Sequence, residues 1–170
     1  DIIGDRSFKG VAKAIESRDW SKQDIDQIVP SLKEKKEIKQ RVMLCGVYGA
    51  RLSEGIDYNG GILDAVACIG IPNAPPSVLS ESLKAYAGER FGKNNAWRYT
   101  VTQPAINAVL QAMGRPIRSI GDRALVLLLD QRHTDRTYAT CYPSDLRMNA
   151  TNTPMTTASF ARRFFSRVHT

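Results

Sequence analysis

Gln111, Arg115 and Arg118 stand at i, i+4, i+7 in the segment QAMGRPIR, a spacing that puts them on one face while helical geometry persists. Two guanidiniums at a helix end form a forked donor set suited to phosphate oxygens. The same spacing also fits two exposed arginines in surface ion pairs. Gly114 leaves the backbone bare where something could approach closely. Pro116 pushes Arg115 out of helical geometry, so Arg118 is expected on a turn beyond the helix. A second constellation is the loop GARLSEGID at 49–57, where Glu54 and Asp57 flank Gly55 just after an apolar run. A carboxylate there can accept from a sugar hydroxyl or hold an arginine, and Gly55 would let backbone amides approach a phosphate.

Other chemistries find little support. The three cysteines, Cys45, Cys68 and Cys141, are odd in number and widely spaced, which argues against a disulfide framework and against a zinc site. They point to a reducing, intracellular compartment, cytoplasmic or DNA-associated, and the sequon Asn149–Ala150–Thr151 is then a chance match. No run approaches the ~18 apolar residues of a membrane helix, so no membrane partner is expected. No signal peptide is visible, since the first residues carry Asp1, Asp5 and Arg6. The net charge of +7 fits a polyanionic partner as well as it fits a solvated basic surface. There is no starting Met, and the chain is expected to be a piece of something longer.

The elements that must position these residues read as alternating strands and helices. Ile2–Ile3 suggests the tail of a strand, and residues 7–18 a short helix. Ser21–Asp24 is a capping box, followed by Ile25, Ile28, Val29 and Leu32 on one face. Pro30 should kink or break that helix, with a second capping box at Ser31 restarting it. The run KEKKEIK is a solvated face or a nucleic-acid contact. Val42–Val47, Ala65–Ile71 and Ala124–Leu129 are continuous apolar runs, read as buried strands. Between the last two, Ser77 leads a helix with Val78, Leu79, Leu83 and Tyr86 on one side. Gly92–Asn95 breaks it, and Pro104 opens another whose core stripe is Ile106, Val109, Leu110 and Met113. Such alternation implies a mostly parallel sheet covered by helices on both faces, with working groups at the carboxyl ends of the strands. Residues 149–157 read as a linker. Ala158–Val168 is an amphipathic helix, with Phe160, Phe164, Phe165 and Val168 opposite Arg162, Arg163 and Arg167. It either docks on the domain or serves as a membrane or nucleic-acid helix.

ARLSEGIDY at 50–58, QAMGRPIR at 111–118 and the spacing D-x7-D-x-R over Asp122, Asp130 and Arg132 occur in the order found in a known family. They resemble motifs V and VI of superfamily-two DNA helicases of the XPD type, whose relatives include the DinG helicases. GIPNAPPS at 70–77 resembles the G-[IVL]-P stretch between those motifs. The similarity spans roughly 40–133, and Ala124 departs from the family's usual Gly.

The resemblance implies an α/β, RecA-like, three-layer fold with a mostly parallel sheet, lacking N-terminal strands. It assigns residues 1–145 to the second RecA-like domain and 146–170 to a linker and docking helix. Arg115 and Arg118 would be arginine fingers on ATP, with Gln111 linking nucleotide state to domain closure. Glu54, Gly55, Asp57 and Gly114 would line the nucleotide cleft, Asp57 near the ribose. Arg51 and Ser53 would lie near single-stranded DNA, and Arg132 would either pair with Asp130 or meet DNA. The first RecA-like domain, as partner, would supply the P-loop, the Mg²⁺-binding acids and the cysteines of an iron–sulfur cluster. This chain has no metal site by that reading. Its nearest phosphate-loop match, Gly88–Asn94, has one residue too few between the glycines, and Asn94 replaces the Ser/Thr. The implied activity is ATP-dependent DNA unwinding by the full-length protein, with this chain alone inactive. The other reading is a non-catalytic module of helicase-like shape that binds nucleic acid or a partner.

Overall fold

A computed structural model describes residues 8–168. The elements run β1 (Val11–Ile15), α1 (Lys22–Glu37), β2 (Arg41–Cys45), α2 (Arg51–Glu54), β3 (Ala65–Ile69), α3 (Val78–Phe91), α4 (Lys93–Trp97), a π-helical turn (Arg98–Thr102), α5 (Gln103–Met113), β4 (Leu125–Leu129), a 3-10 turn (Gln131–Thr134), α6 (Arg136–Ala139) and α7 (Pro154–Val168). The class is α/β, with parallel strand pairs and flanking helices, as expected. The expected strand at Ile2–Ile3 lies outside the described residues. Two compact units form: one from the chain up to Asp64 with Gly114–Ala124, the other from Ala65–Met113 with the chain from Leu125 onward.

In the first unit β1 and β2 pair in parallel, from Val11 opposite Arg41 to Ile15 opposite Cys45. This corrects the helix expected over 7–18. The alanines and lysine of VAKAI carry helical propensity, but five residues are too few for a stable helix in isolation, and pairing with apolar β2 overrides the local preference. Ser21 caps α1 as expected: its hydroxyl accepts from the Asp24 amide at 3.2 Å, and Asp24 Oδ2 accepts from the Ser21 amide at 2.7 Å. The break expected at Pro30 does not occur, and α1 is continuous. Pro30 lies on the exposed side, where the carbonyl that loses its donor can turn to water. Ile25, Ile28 and Val29 before it and Leu32 after it pack in one cluster with Leu52, Ile56, Tyr58 and Ile62, which holds both halves in line. Ser31 therefore caps nothing; its hydroxyl accepts from Lys35 Nζ at 3.2 Å.

In the second unit β3 and β4 pair in parallel, from Ala65 opposite Leu125 to Ile69 opposite Leu129. The strands are less buried than their apolar runs suggest: in β3 only Cys68 is buried, and β4 is half-buried to exposed. Each pairs with one strand only among the described residues. The stripe on α5 is as expected, with Ile106 and Val109 both 0% exposed. Truncating either to Ala would cost about 2–5 kcal/mol by analogy with other cores. Tyr142 and Cys141 close over the same cluster. The apolar side expected for α3 is not a core face. Val78 and Leu79 are 87% and 78% exposed, and α3 buries Ala87 instead, with Ala96 close beside Gly88. Small residues let α3 approach its neighbour α4 closely, leaving the larger ones outside. Gly92, at φ +87°, makes the break before α4. The linker expected over 149–157 ends sooner, because α7 starts at Pro154: Thr153 Oγ1 accepts from the Thr156 amide at 3.2 Å, an N-cap with proline at the first helical position.

Candidate functional site

The segment after β2 is held from several sides. Glu16, just beyond β1, accepts from the amides of Val47 and Leu52, both at 3.2 Å. Arg51 Nη2 donates to the Trp20 carbonyl at 2.8 Å, and Ser53 Oγ to the Ala50 carbonyl at 2.9 Å. The buried Tyr58 hydroxyl donates to the Leu52 carbonyl at 3.1 Å. Burial, reinforced by Glu16 and opposed by Arg115, pushes that phenol up to about 12, so it stays a neutral donor. Gly55 plays a different part from the one expected. Its amide donates to the Arg51 carbonyl at 2.7 Å, ending α2, and is therefore committed within the chain. A Cβ at this position would stand 3.0 Å from that same carbonyl, so the glycine is required by the tight end of α2.

Beyond α5 the chain leaves helical geometry at Gly114, as Pro116 requires, and Pro116 is fully buried. Arg115 Nη1 donates to the Ile56 carbonyl at 3.0 Å, while its Nε is buried with no partner. Arg118 Nε pairs with Asp57 Oδ1 at 3.1 Å. One oxygen of Asp122 accepts from the amides of both Arg118 and Ser119 at 2.8 Å, and those bonds hold its carboxyl below the usual range. Asp122 thus fixes the backbone from which Arg118 projects. An open cavity of about 470 Å³ results, lined by Glu54, Gly55, Ile56, Asp57, Arg115 and Arg118.

The structure therefore brings together, within one unit, two arginines and the 54–57 loop that lie about sixty residues apart in the chain. The arginines supply forked cationic donors. The buried, unpartnered Nε of Arg115 is a polar group that normally finds an acceptor. These features fit a phosphate chain better than a neutral ligand. The Asp57–Arg118 pair is solvent-exposed and so weak, leaving Arg118 able to exchange partners. Gln111 is exposed on α5 in the second unit, and Gly114 is exposed in the turn that follows. Of the two readings of Arg132, the geometry shows the pairing. Its Nε and Nη2 donate to Asp130 at 3.0 and 2.6 Å, its guanidinium lies 5.8 Å from the Tyr138 ring, and Arg132 draws Asp130 down to about 2. The near-match to a phosphate loop, Gly88–Asn94, runs through α3 and α4 and forms no loop of that kind. Among the described residues no group of three or more His, Cys, Asp or Glu is placed to hold a metal.

Sequence reasoning missed Glu16, because residues 7–18 read as a helix, and nothing in the local pattern marks it as a clamp on a loop over thirty residues away. Asp122 was visible only as a member of a spacing, without its role. Missed too was a second cavity beside the first, taken up below.

Comparison with known proteins agrees with this site. The sequence model of the helicase C-terminal domain family matches residues 6–149. The chain is 32% identical over 104 residues to the ATP-dependent DNA helicase CHL1 of Candida glabrata, covering 55% of this chain and 12% of that protein. It is 28% identical over 123 residues to the ATP-dependent DNA helicase XPD of Sulfolobus acidocaldarius, covering 71% and 21%. To chl1 of Schizosaccharomyces pombe it is 29% identical over 155 residues, covering 82% and 17%. A solved structure of XPD in its apo form superposes with a TM-score of 0.57 at 26% identity, over 76% of this chain and 26% of that one. The chain spans about a fifth or less of the curated relatives it matches. With the two arginines and the 54–57 loop meeting at one cavity, and with most of its length matched, this chain belongs to the helicase C-terminal domain family, of the XPD type.

Proposed function

We propose that the chain is the second motor domain of an ATP-dependent DNA helicase. In this reading Arg115 and Arg118 stabilise the charge that develops on ATP's γ-phosphate. Glu54, Gly55, Asp57 and Gly114 line the nucleotide cleft, and Asp57 accepts from the ribose. ATP and its Mg²⁺ are held chiefly by the first RecA-like domain of the full-length protein, which also carries the iron–sulfur cluster. Gln111 couples the nucleotide to domain closure. Arg51, Ser53 and Arg132 lie along single-stranded DNA. For Arg51 and Ser53 the hydrogen bonds to Trp20 and Ala50 would fix their positions rather than block contact, since each side chain keeps further hydrogen-bonding capacity.

The observation that carries the reading is the cavity in which Arg115, anchored on the Ile56 carbonyl with a buried Nε to spare, and Arg118 converge on the SEGID loop. Glu54 and Asp57 oppose the two arginines in formal charge, so this cavity alone is a poor trap for a triphosphate. That agrees with a half-site completed by another domain. The purified 170-residue chain should hydrolyse no ATP above background, while the full-length protein does so in the presence of single-stranded DNA. Robust turnover by the purified chain would overturn the proposal.

A further inference from the structure

The wall formed by Gly55, Ile56 and Asp57 has two sides. On one side is the cavity of Arg115 and Arg118. On the other is a second cavity of about 280 Å³, lined by those three residues together with Ile25, Asp26, Val29 and Lys33 of α1 and with Asn59. The chemistry of the two differs. The first offers guanidiniums. The second offers three branched aliphatic side chains, Ile25, Val29 and Ile56, with Asp26, Lys33 and Asn59 adding polar groups, a composition suited to a small ligand with apolar faces and hydrogen-bonding edges. Asp57 is common to both: its Oδ1 faces Arg118 at 3.1 Å, and its Oδ2 has only a long contact, 3.5 Å, from Asn59 Nδ2. That oxygen is poorly satisfied and suited to a stronger hydroxyl donor.

Across this wall the order is cationic donors, then a carboxylate, then an aliphatic cavity with polar groups. The covalent order of a nucleotide is the same: phosphates, then a sugar with hydroxyls, then a flat base with apolar faces. We propose that the cavity between α1 and the 55–59 segment is the nucleoside subsite of the nucleotide whose phosphates meet Arg115 and Arg118. Asp57 accepts from a ribose hydroxyl, Ile25, Val29 and Ile56 flank the base, and Asp26 and Lys33 face its edge. The proposal rests on the reading of the first cavity as a phosphate site. It makes α1 of this domain a contributor to nucleotide selection.

The test is an NMR titration of the 170-residue chain, suited to weak binding by half a site, with ATP and separately with inorganic tripolyphosphate. Tripolyphosphate is expected to shift the amides of Gly55, Asp57, Arg115 and Arg118. ATP is expected to shift these and also those of Ile25, Asp26, Val29, Lys33 and Asn59, and to bind about tenfold more tightly, equivalent to ~1.4 kcal/mol. Val29→Ala removes part of the aliphatic wall without changing charge. It should weaken ATP about threefold while leaving tripolyphosphate unchanged. If ATP leaves the α1 amides still, or tripolyphosphate moves them equally, the nucleoside subsite is wrong and the phosphate site stands. If neither ligand moves Gly55, Asp57, Arg115 or Arg118, the phosphate site itself fails, and this proposal with it.

Discussion

Replacing Arg115 with alanine separates the chemistry of this site from its architecture. In the fold, Arg115 contributes one hydrogen bond to the Ile56 carbonyl and carries a buried Nε without a partner. A hydrogen bond from a charged donor is worth about 1.5–3 kcal/mol net, but an unsatisfied buried donor costs about 1–3 kcal/mol. The two nearly offset, so Arg115→Ala should destabilise the chain by only about 1 kcal/mol, a fall in Tm of about 2–4 °C for a domain of this size. The effect on turnover should be of another order. An arginine finger is worth about 10³–10⁵ in rate, so ATP hydrolysis by the full-length protein should fall at least about a thousandfold, ~4 kcal/mol of transition-state stabilisation. Arg115→Lys keeps the charge but loses the planar fork, so its single ammonium cannot both hold Ile56 and meet a phosphate; it should stay well below the wild type. The measurements are thermal unfolding of the 170-residue chain and steady-state ATP turnover of the full-length protein with single-stranded DNA. Turnover within threefold of wild type, or a fall in Tm well beyond 10 °C, would refute the reasoning: the first by removing the finger, the second by making Arg115 a structural anchor.

Two further expectations concern stability. Tyr58→Phe leaves the Leu52 carbonyl without its donor behind the cavity and should cost about 1 kcal/mol, read as a lower denaturation midpoint at unchanged m-value; an unchanged midpoint would show that water replaces the hydroxyl there. His133 is 3% exposed, with Nδ1 2.7 Å from the Tyr142 hydroxyl and Nε2 unpartnered, and burial holds its folded pKa below 6.5, against the opposing pull of Asp130. The unfolded chain therefore takes up this proton at a higher pH than the folded one, so stability should decline as pH falls from 7.5 through 6.5. Denaturant unfolding at stepped pH should show this decline, smaller in His133→Asn; an identical decline in the variant would assign it to other groups.

What the sequence determined is what local chemistry specifies. Ser21 and Asp24 name their own helix start, Ile106 and Val109 their own buried stripe, and Pro116 the exit of Arg115 from helical geometry. The apolar runs at 42–47, 65–71 and 124–129 mark strands because few other structures accommodate such runs between turns. Tertiary structure decided the rest. VAKAI is a strand only because β2 lies beside it. Pro30 is tolerated only because one cluster grips α1 on both sides of it. The large residues of α3 stay outside because its small ones permit the closer approach. At the site, the sequence supplied Arg115, Arg118 and the SEGID loop as separate features. That Arg115 reaches the carbonyl of Ile56, that Asp57 faces Arg118, and that the Gly55 amide is already spent on Arg51 are contacts across dozens of residues or within a tight turn, and only the folded chain fixes such distances.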